Sequence, residues 1–311
     1  KELDELGKNN IPRQLISHTH LIYSSPATLA FNSPGAEGFG VKRAGLAVPD
    51  SVMLIVSPGC CGRNTSVLSS MRAYQDRFYY LLMDETDIVT GRHLKKIPKA
   101  VAEICEGLKK KPSVVMICIT CVDALLGTDM ERVCHKAEEY AGVPVRPCYM
   151  YALTREGRKP PMVHVRQSVY SLLEPKKKKG NVVNLLGYFS PLTDDCELYD
   201  LLHGAGVKTI HEISRCKDYA QYQTMSEANF NLVLHPEARF AAEDFHDRLK
   251  IPYIELRRLY QIDKIASQYR ALAAALGVEF EDEIPRKAAE EAVEKFREIH
   301  PDAVFAVGEW M

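Results

Sequence analysis

Nine cysteines stand in a chain of 311 residues, and the places they occupy say more than their number. Cys60 and Cys61 are adjacent, and they follow an apolar run, Val52-Met53-Leu54-Ile55-Val56, that breaks at Pro58-Gly59. Cys121 directly follows a second such run, Ser113 to Thr120. Runs of this length and composition predict strands buried on both faces. In an open parallel sheet, ligands sit outside the carboxyl ends of the strands. The sequence therefore predicts thiols from two separate turns on one rim of one sheet. Thiolates converging there suit a soft metal or an iron–sulfur cluster. One cluster commonly takes four thiolates, and this rim offers two or three. A two-fold homodimer would double two into four, with the cluster on the symmetry axis. The alternative is a set of unligated loop thiols.

The remaining cysteines read as packing. Cys105 and Cys134 fall on apolar helix faces, where a thiol behaves as a small hydrophobe. Cys118 lies inside the second apolar run, and Cys118 to Cys121 has the CxxC spacing. Residues three apart on an extended strand point to opposite faces, so that pair does not converge. Cys148, Cys196 and Cys216 are isolated and read as structural.

The elements that must hold the rim follow from periodicity. Further strands are predicted at Arg77–Met83 and Pro144–Cys148, with a polar loop at Asp84–Gly91 directly after the first of them. Helices are predicted at His93–Lys110, Asp123–Tyr140 and Pro161–Leu173. The glycines at 35, 38, 40 and 45 do not match GxGxxG and read as a turn leading into a helix. Glu174-Pro175 and four lysines read as a solvated hinge, with an anion-binding run as the alternative, after which strands and helices alternate again from Val182 to His300. Alternation with short loops predicts an α/β chain of successive doubly wound, mostly parallel-sheet (Rossmann-like) domains. The expected boundaries are 18–175 for the cysteine-bearing domain, 181–300 for a second domain and 301–311 for the start of a truncated third.

Composition narrows the class. The chain is 46% hydrophobic and 26% charged, with a formal net charge of -1, which argues against a nucleic-acid partner. No apolar run approaches the length of a membrane span, and no export signal is visible. Reduced thiols in a cytoplasmic protein are therefore expected. The chain starts at Lys1, so its natural N-terminus is expected to be missing. No GxxxxGK[ST] is present, so ATP, if used, would be bound by a partner protein.

Several segments, in order, resemble the component-1 family of nitrogenases and nitrogenase-like reductases. That family includes the nitrogenase subunits, cofactor-assembly scaffolds, dark protochlorophyllide reductases and the nickel-sirohydrochlorin reductive cyclase. Gly35-Ala36-Glu37 with Val48 to Cys61 is similar to the family's glycine-plus-HGPxGC segment. Glu85 to Gly91 resembles its E.DIVFG segment, and Cys121 with Leu126-Gly127-Thr128-Asp129 its CP..LIGDD segment. Val183-Asn184-Leu185-Leu186-Gly187 resembles the strand that opens its second domain. The resemblance implies that Cys61 and Cys121 are two of the three family cysteines at an interface cluster. The place of the third reads Asn32-Ser33-Pro34-Gly35, without cysteine. A [4Fe–4S] cluster shared by two chains is then implied rather than an eight-iron one, with Cys60 as a further possible ligand. The partner chain is a second copy or a paralogue. His235 stands near where nitrogenase has its cofactor-holding cysteine, which speaks against dinitrogen reduction on an iron–molybdenum cofactor. His164 resembles the histidine facing the family's substrate cavity and is expected to donate a proton, with Arg166 attracting an anionic substrate. The alternative for both is a solvated helix face. The implied function is the cluster-bearing part of a two-component reductase, fed by a P-loop iron protein that hydrolyses ATP and acting on a small molecule. The rivals are a scaffold for metallocofactor assembly and a metal-free α/β binding protein.

Overall fold

The computed structural model describes residues 34–59, 74–149 and 159–304. Two parallel four-stranded sheets carry the fold. The first consists of β1 (Val52–Ser57), β2 (Phe78–Leu82), β3 (Val115–Ile119) and β4 (Val145–Tyr149), in the spatial order β2-β1-β3-β4. The second consists of β5 (Val182–Leu186), β6 (Thr209–His211), β7 (Phe230–Val233) and β8 (Tyr253–Glu255), in the order β6-β5-β7-β8. Both are the same 2-1-3-4 arrangement. Strands β1, β3 and β5 are buried along their whole length, which is why each reads as an unbroken apolar run.

Helices cover the faces. In the first unit these are α1 (Pro34–Gly45), α2 (Glu85–Thr90), α3 (Arg92–Gly107), α4 (Cys121–Leu126), α5 (Met130–Ala141) and α6 (Pro161–Tyr170). The second unit has α7 (Glu197–Gly204), α8 (Tyr219–Gln223), α9 (Arg239–Leu249), α10 (Ile262–Leu276) and α11 (Glu283–Ile299). Alternate residues of β1 face different cores. Leu54 and Val56 pack with Ile97 and Val101 of α3, whereas Met53 and Ile55 join Val165 and Val169 of α6. That second core does not stop at the first sheet. It continues through Tyr170 to Leu186, Val233 and Phe245 of the second unit. Helix α6 packs on α1, β4 and α9 at once, so it joins the two units instead of closing the first.

Three expectations change. The stretch expected to be a polar loop, Asp84–Gly91, contains α2. A reciprocal cap between Asp84 and Asp87 starts this helix, and Gly91, at φ 64°, ends it. The single helix expected over Asp123–Tyr140 is two. Gly127 takes a φ of 69°, and Asp129 accepts from the amide of Arg132 to cap α5. The glycines at 35, 38 and 40, expected in a turn leading into a helix, lie within α1 itself, and most of the third-unit start expected at 301–311 lies outside the described residues. Elsewhere the predicted strands and helices are present, with ends shifted by a few residues. Among the described residues no helix is long and apolar enough to cross a membrane.

Candidate functional site

The first sheet reverses its winding between β1 and β3, its two central strands. Chain growth goes from β1 to one side for β2, then returns past β1 to place β3 on the other side. Loops leaving two such strands at their carboxyl ends separate, and the crevice between them is where doubly wound sheets hold ligands. Val56 pairs with Ile119 in this ladder. Ser57 and Thr120 are therefore opposite one another at its end. Cys121 follows Thr120 and opens α4. Cys60 and Cys61 follow Ser57 by three and four residues and lie outside the described residues. Thus the backbone brings the turn bearing Cys121 and the start of the turn bearing Cys60 and Cys61 to one crevice.

The crevice has an unusual polar complement. Ser57 and Thr120 are buried, and neither hydroxyl has a hydrogen-bond partner among the described residues. Beneath the first turn of α4, Asp123 and His93 form a wholly buried pair. His93 Nε2 lies 2.8 Å from Asp123 Oδ1, and Nδ1 lies 3.0 Å from the carbonyl oxygen of Asp87. A carbonyl only accepts, so Nδ1 carries the hydrogen that is given to it. Thr128 Oγ1 donates to the same carboxylate oxygen at 3.1 Å, while Oδ2 is left without a partner among the described residues. This pair ties α3 to the helix that Cys121 begins. Nothing in the local sequence signalled it, because its members are 30 residues apart.

The residues present fit an iron–sulfur cluster. The donor set is thiol, as iron–sulfur chemistry requires, and two unsatisfied buried hydroxyls stand at the same rim, where sulfides and thiolates are acceptors. Among the described residues no three of His, Cys, Asp and Glu gather as a metal site. The cysteines read as packing are placed accordingly. Cys118, Cys134 and Cys148 are buried, and Cys105, Cys196 and Cys216 are half-buried free thiols. Desolvation raises the thiol of Cys134 well beyond the ordinary range, so it stays protonated and unreactive.

His164 and Arg166 do not lie on a solvated face. Both are on α6 where it meets the second unit. The Arg166 guanidinium donates to the carbonyl of Gly187 at 3.0 and 2.7 Å, to that of Met162 at 2.8 Å and to Glu237 at 2.7 Å. It also stacks over Phe189 at 5.0 Å. So engaged, it acts as a strut between units and holds little in reserve for a substrate anion. His164 sets its ring edge-on against Tyr149, at 4.3 Å between centroids. Burial, helped by Lys159, pushes it down to about 4. At neutral pH its ring is therefore uncharged, contrary to the near-neutral value of a free histidine. His235, which sequence reasoning used only as a sign of a missing cysteine, closes the equivalent crevice of the second sheet. Its backbone nitrogen would lie 2.8 Å from a Cβ on Gly187, whose φ is +134°. Separately, a cleft of about 640 Å³ opens between α1 and the loops after β5 and β6, lined by Arg43, Met162, Phe189, Ser214 and Lys217. It lies toward the amino ends of β1 and β2, away from the cysteine rim.

Paired doubly wound parallel sheets, with the turn that begins at Cys121 leaving the switch point of the first, define a class of Rossmann-like α/β proteins. Within that class the chain belongs to the nitrogenase component 1 type oxidoreductases, whose family model matches residues 37–304. The nitrogenase iron-molybdenum cofactor biosynthesis protein NifE of Nostoc sp. is 27% identical over 239 residues, covering 74% of this chain and 49% of that protein. The protein of the same name from Klebsiella pneumoniae is 27% identical over 266 residues, covering 78% of this chain and 58% of its own length. The chain thus spans about half to three-fifths of the curated relatives it matches. A solved structure titled nitrogenase Cp1 at pH 6.5 superposes with a TM-score of 0.61 at 18% identity. It covers 85% of this chain and 61% of its own. At that identity the likeness speaks for the fold.

Proposed function

We propose that this chain is an iron–sulfur-carrying component-1-like protein that serves as a scaffold for building a metallocofactor. Cys61 and Cys121 are the ligands, with Cys60 as a third donor. Two thiolates per chain are short of the four that one [4Fe–4S] cluster commonly takes, so a second copy, or a paralogue, completes the set across a two-fold interface. The observation that carries the reading is that β1, whose chain continues toward Cys60 and Cys61, and β3, which is followed by Cys121, end side by side at the switch point of the first sheet. When bound, the cluster supplies one-electron chemistry. The chain's own part is to hold the thiolates, bury the rim and place polar groups beside it. The relatives named for cofactor biosynthesis favour a scaffold over a catalyst. The second reading is the catalytic component of a two-component reductase that takes electrons from a P-loop iron protein. It is supported by family membership and by the missing ATP motif. On that reading His164 is a neutral ring that accepts or passes a proton near a small-molecule substrate.

Anaerobic purification and iron analysis test the cluster. Cys61→Ala with Cys121→Ala is expected to abolish both the brown colour and the bound iron and to shift the dimer toward monomer. Retention of iron by the double variant would remove these ligands. Incubation with an iron protein and ATP then separates the readings, because a scaffold hands its metal to an acceptor protein and a reductase keeps it through many turnovers.

A further inference from the structure

We propose that the hydroxyls of Ser57 and Thr120 form a matched pair of donors aimed at the sulfur of the bound cluster, and that they raise its reduction potential. The inference rests on the cluster reading above and adds residues that neither the motifs nor the relatives single out.

The pair is set by the ladder. Val56 is opposite Ile119, so Ser57, the last residue of β1, and Thr120, the first residue past β3, leave the ladder side by side. Neighbouring strands lie close to 5 Å apart, so the two side chains are adjacent. Alternation places them on one face. Val56 and Ile119 belong to the core beneath α3, so Ser57 and Thr120 turn to the opposite face, with Ile55 and Cys118. Both residues are essentially closed to solvent, at 0% and 1% exposure, yet both hydroxyl oxygens lack a partner among the described residues.

Two unpaired hydroxyls side by side in a core are costly, and native structures rarely leave one without a reason. Packing is not that reason, since Ala and Val would fill the same space without the penalty. A hydroxyl is a donor that rotates to suit its acceptor. On the cluster reading, the acceptors are the cluster's sulfides and the thiolates of Cys121, one residue after Thr120, and of Cys60 and Cys61, three and four residues after Ser57. A donor beside cluster sulfur favours the more negative, reduced state, and hydrogen bonds to sulfur are an established lever on cluster potential. The two strands therefore end in the same device, a donor followed by a thiolate.

The test uses Ser57→Ala, Thr120→Val and the double variant in the full chain, each purified anaerobically with and without iron. Wild-type iron content is read first, since a chain without bound iron sinks the cluster reading itself. In the iron-loaded protein the midpoint potential from a redox titration is expected to fall in each single variant and further in the double. In the iron-free protein the melting temperature is expected to stay level or rise, because an unpaired polar group has been removed. This opposition of signs belongs to donors that wait for a cluster. An unchanged potential in a variant that keeps its iron overturns the proposal and leaves the cluster standing. A clear loss of melting temperature in the iron-free variants overturns it too, because the hydroxyls would then be satisfied within the protein, for instance by a shared buried water.

Discussion

Burial changes what the two histidines near the junction of the units can do. His164 is pushed down to about 4 by desolvation and by Lys159. His235 is pushed down to about 4 by desolvation and by the nearby charges of Arg166 and Arg258. Both have an ordinary value of 6.5 once the chain unfolds. Between roughly pH 6.5 and 4 the unfolded chain therefore binds protons that the folded chain refuses. Stability rises with pH wherever the unfolded state holds more protons. It is expected to be full above about pH 6.5 and to be lost progressively as the pH falls toward 4. Urea midpoints taken across that range should slope downward with acid. The slope should flatten in the His164→Gln, His235→Gln double variant, and an equally steep slope there would show that other groups govern the acid limit. The cysteines tell a different story at this scale. That Cys121 follows a strand end was legible in the sequence, because a buried strand announces itself, whereas Cys60 and Cys61 lie outside the described residues. The His93–Asp123 pair and the Arg166 strut were not legible, since each joins side chains brought together only by the fold.

At the level of elements, the approach of α1 to the first sheet turns on one missing atom. A Cβ on Gly45 would sit 2.6 Å from Met53 Cε and 2.9 Å from Cys148 Sγ. Met53 and Cys148 are both fully buried in the core shared with α6, so neither has room to withdraw. Gly45→Ala should therefore act as overpacking, at a cost of roughly 1–3 kcal/mol. The expected result is a lower urea midpoint with an unchanged slope. A neutral substitution would mean that the Met53 thioether moves aside, as methionine can. The sequence singled out this glycine only as part of a loose cluster, because close packing between a helix and a sheet leaves no local pattern. The strands were read correctly for the opposite reason. The doubly buried β1, β3 and β5 are continuous apolar runs, and no competing element looks like that. Helix α2 was missed because six residues, Glu85–Thr90, are too few to show a period. Its start is written instead in Asp84 and Asp87, which cap each other. The break between α4 and α5 was likewise written in Gly127 and Asp129, and a continuous apolar pattern concealed it.

The whole molecule raises the question of whether two sheets make two independent units. A hinge-like linker, Glu174–Gly180, argues for independence on sequence alone. The packing argues against it. Helix α6 contributes Val165, Val169 and Tyr170 to a single core that holds Met53 and Ile55 on one side and Leu186, Val233 and Phe245 on the other. Tyr170 meets Phe245 at 5.3 Å between ring centroids, and Tyr222 Oη donates to the carbonyl of Val169 at 2.5 Å. Arg248 of α9 donates to the carbonyl of Tyr170 at 3.0 Å, and so helps satisfy the end of α6. Opening one unit would expose the shared core of the other, so the two should unfold together. Phe245 is completely buried, and Phe245→Ala should cost roughly 3–5 kcal/mol, the range for an aromatic deleted from a packed core. That loss is expected to be felt equally at a distance. In native-state hydrogen exchange, the slowest amides of β1 and of β5 should lose protection by the same amount, although Phe245 belongs to the second unit. A loss confined to β5–β8 would show instead that the sheets open separately. The rim that carries Cys121 would then owe its position to the first unit alone.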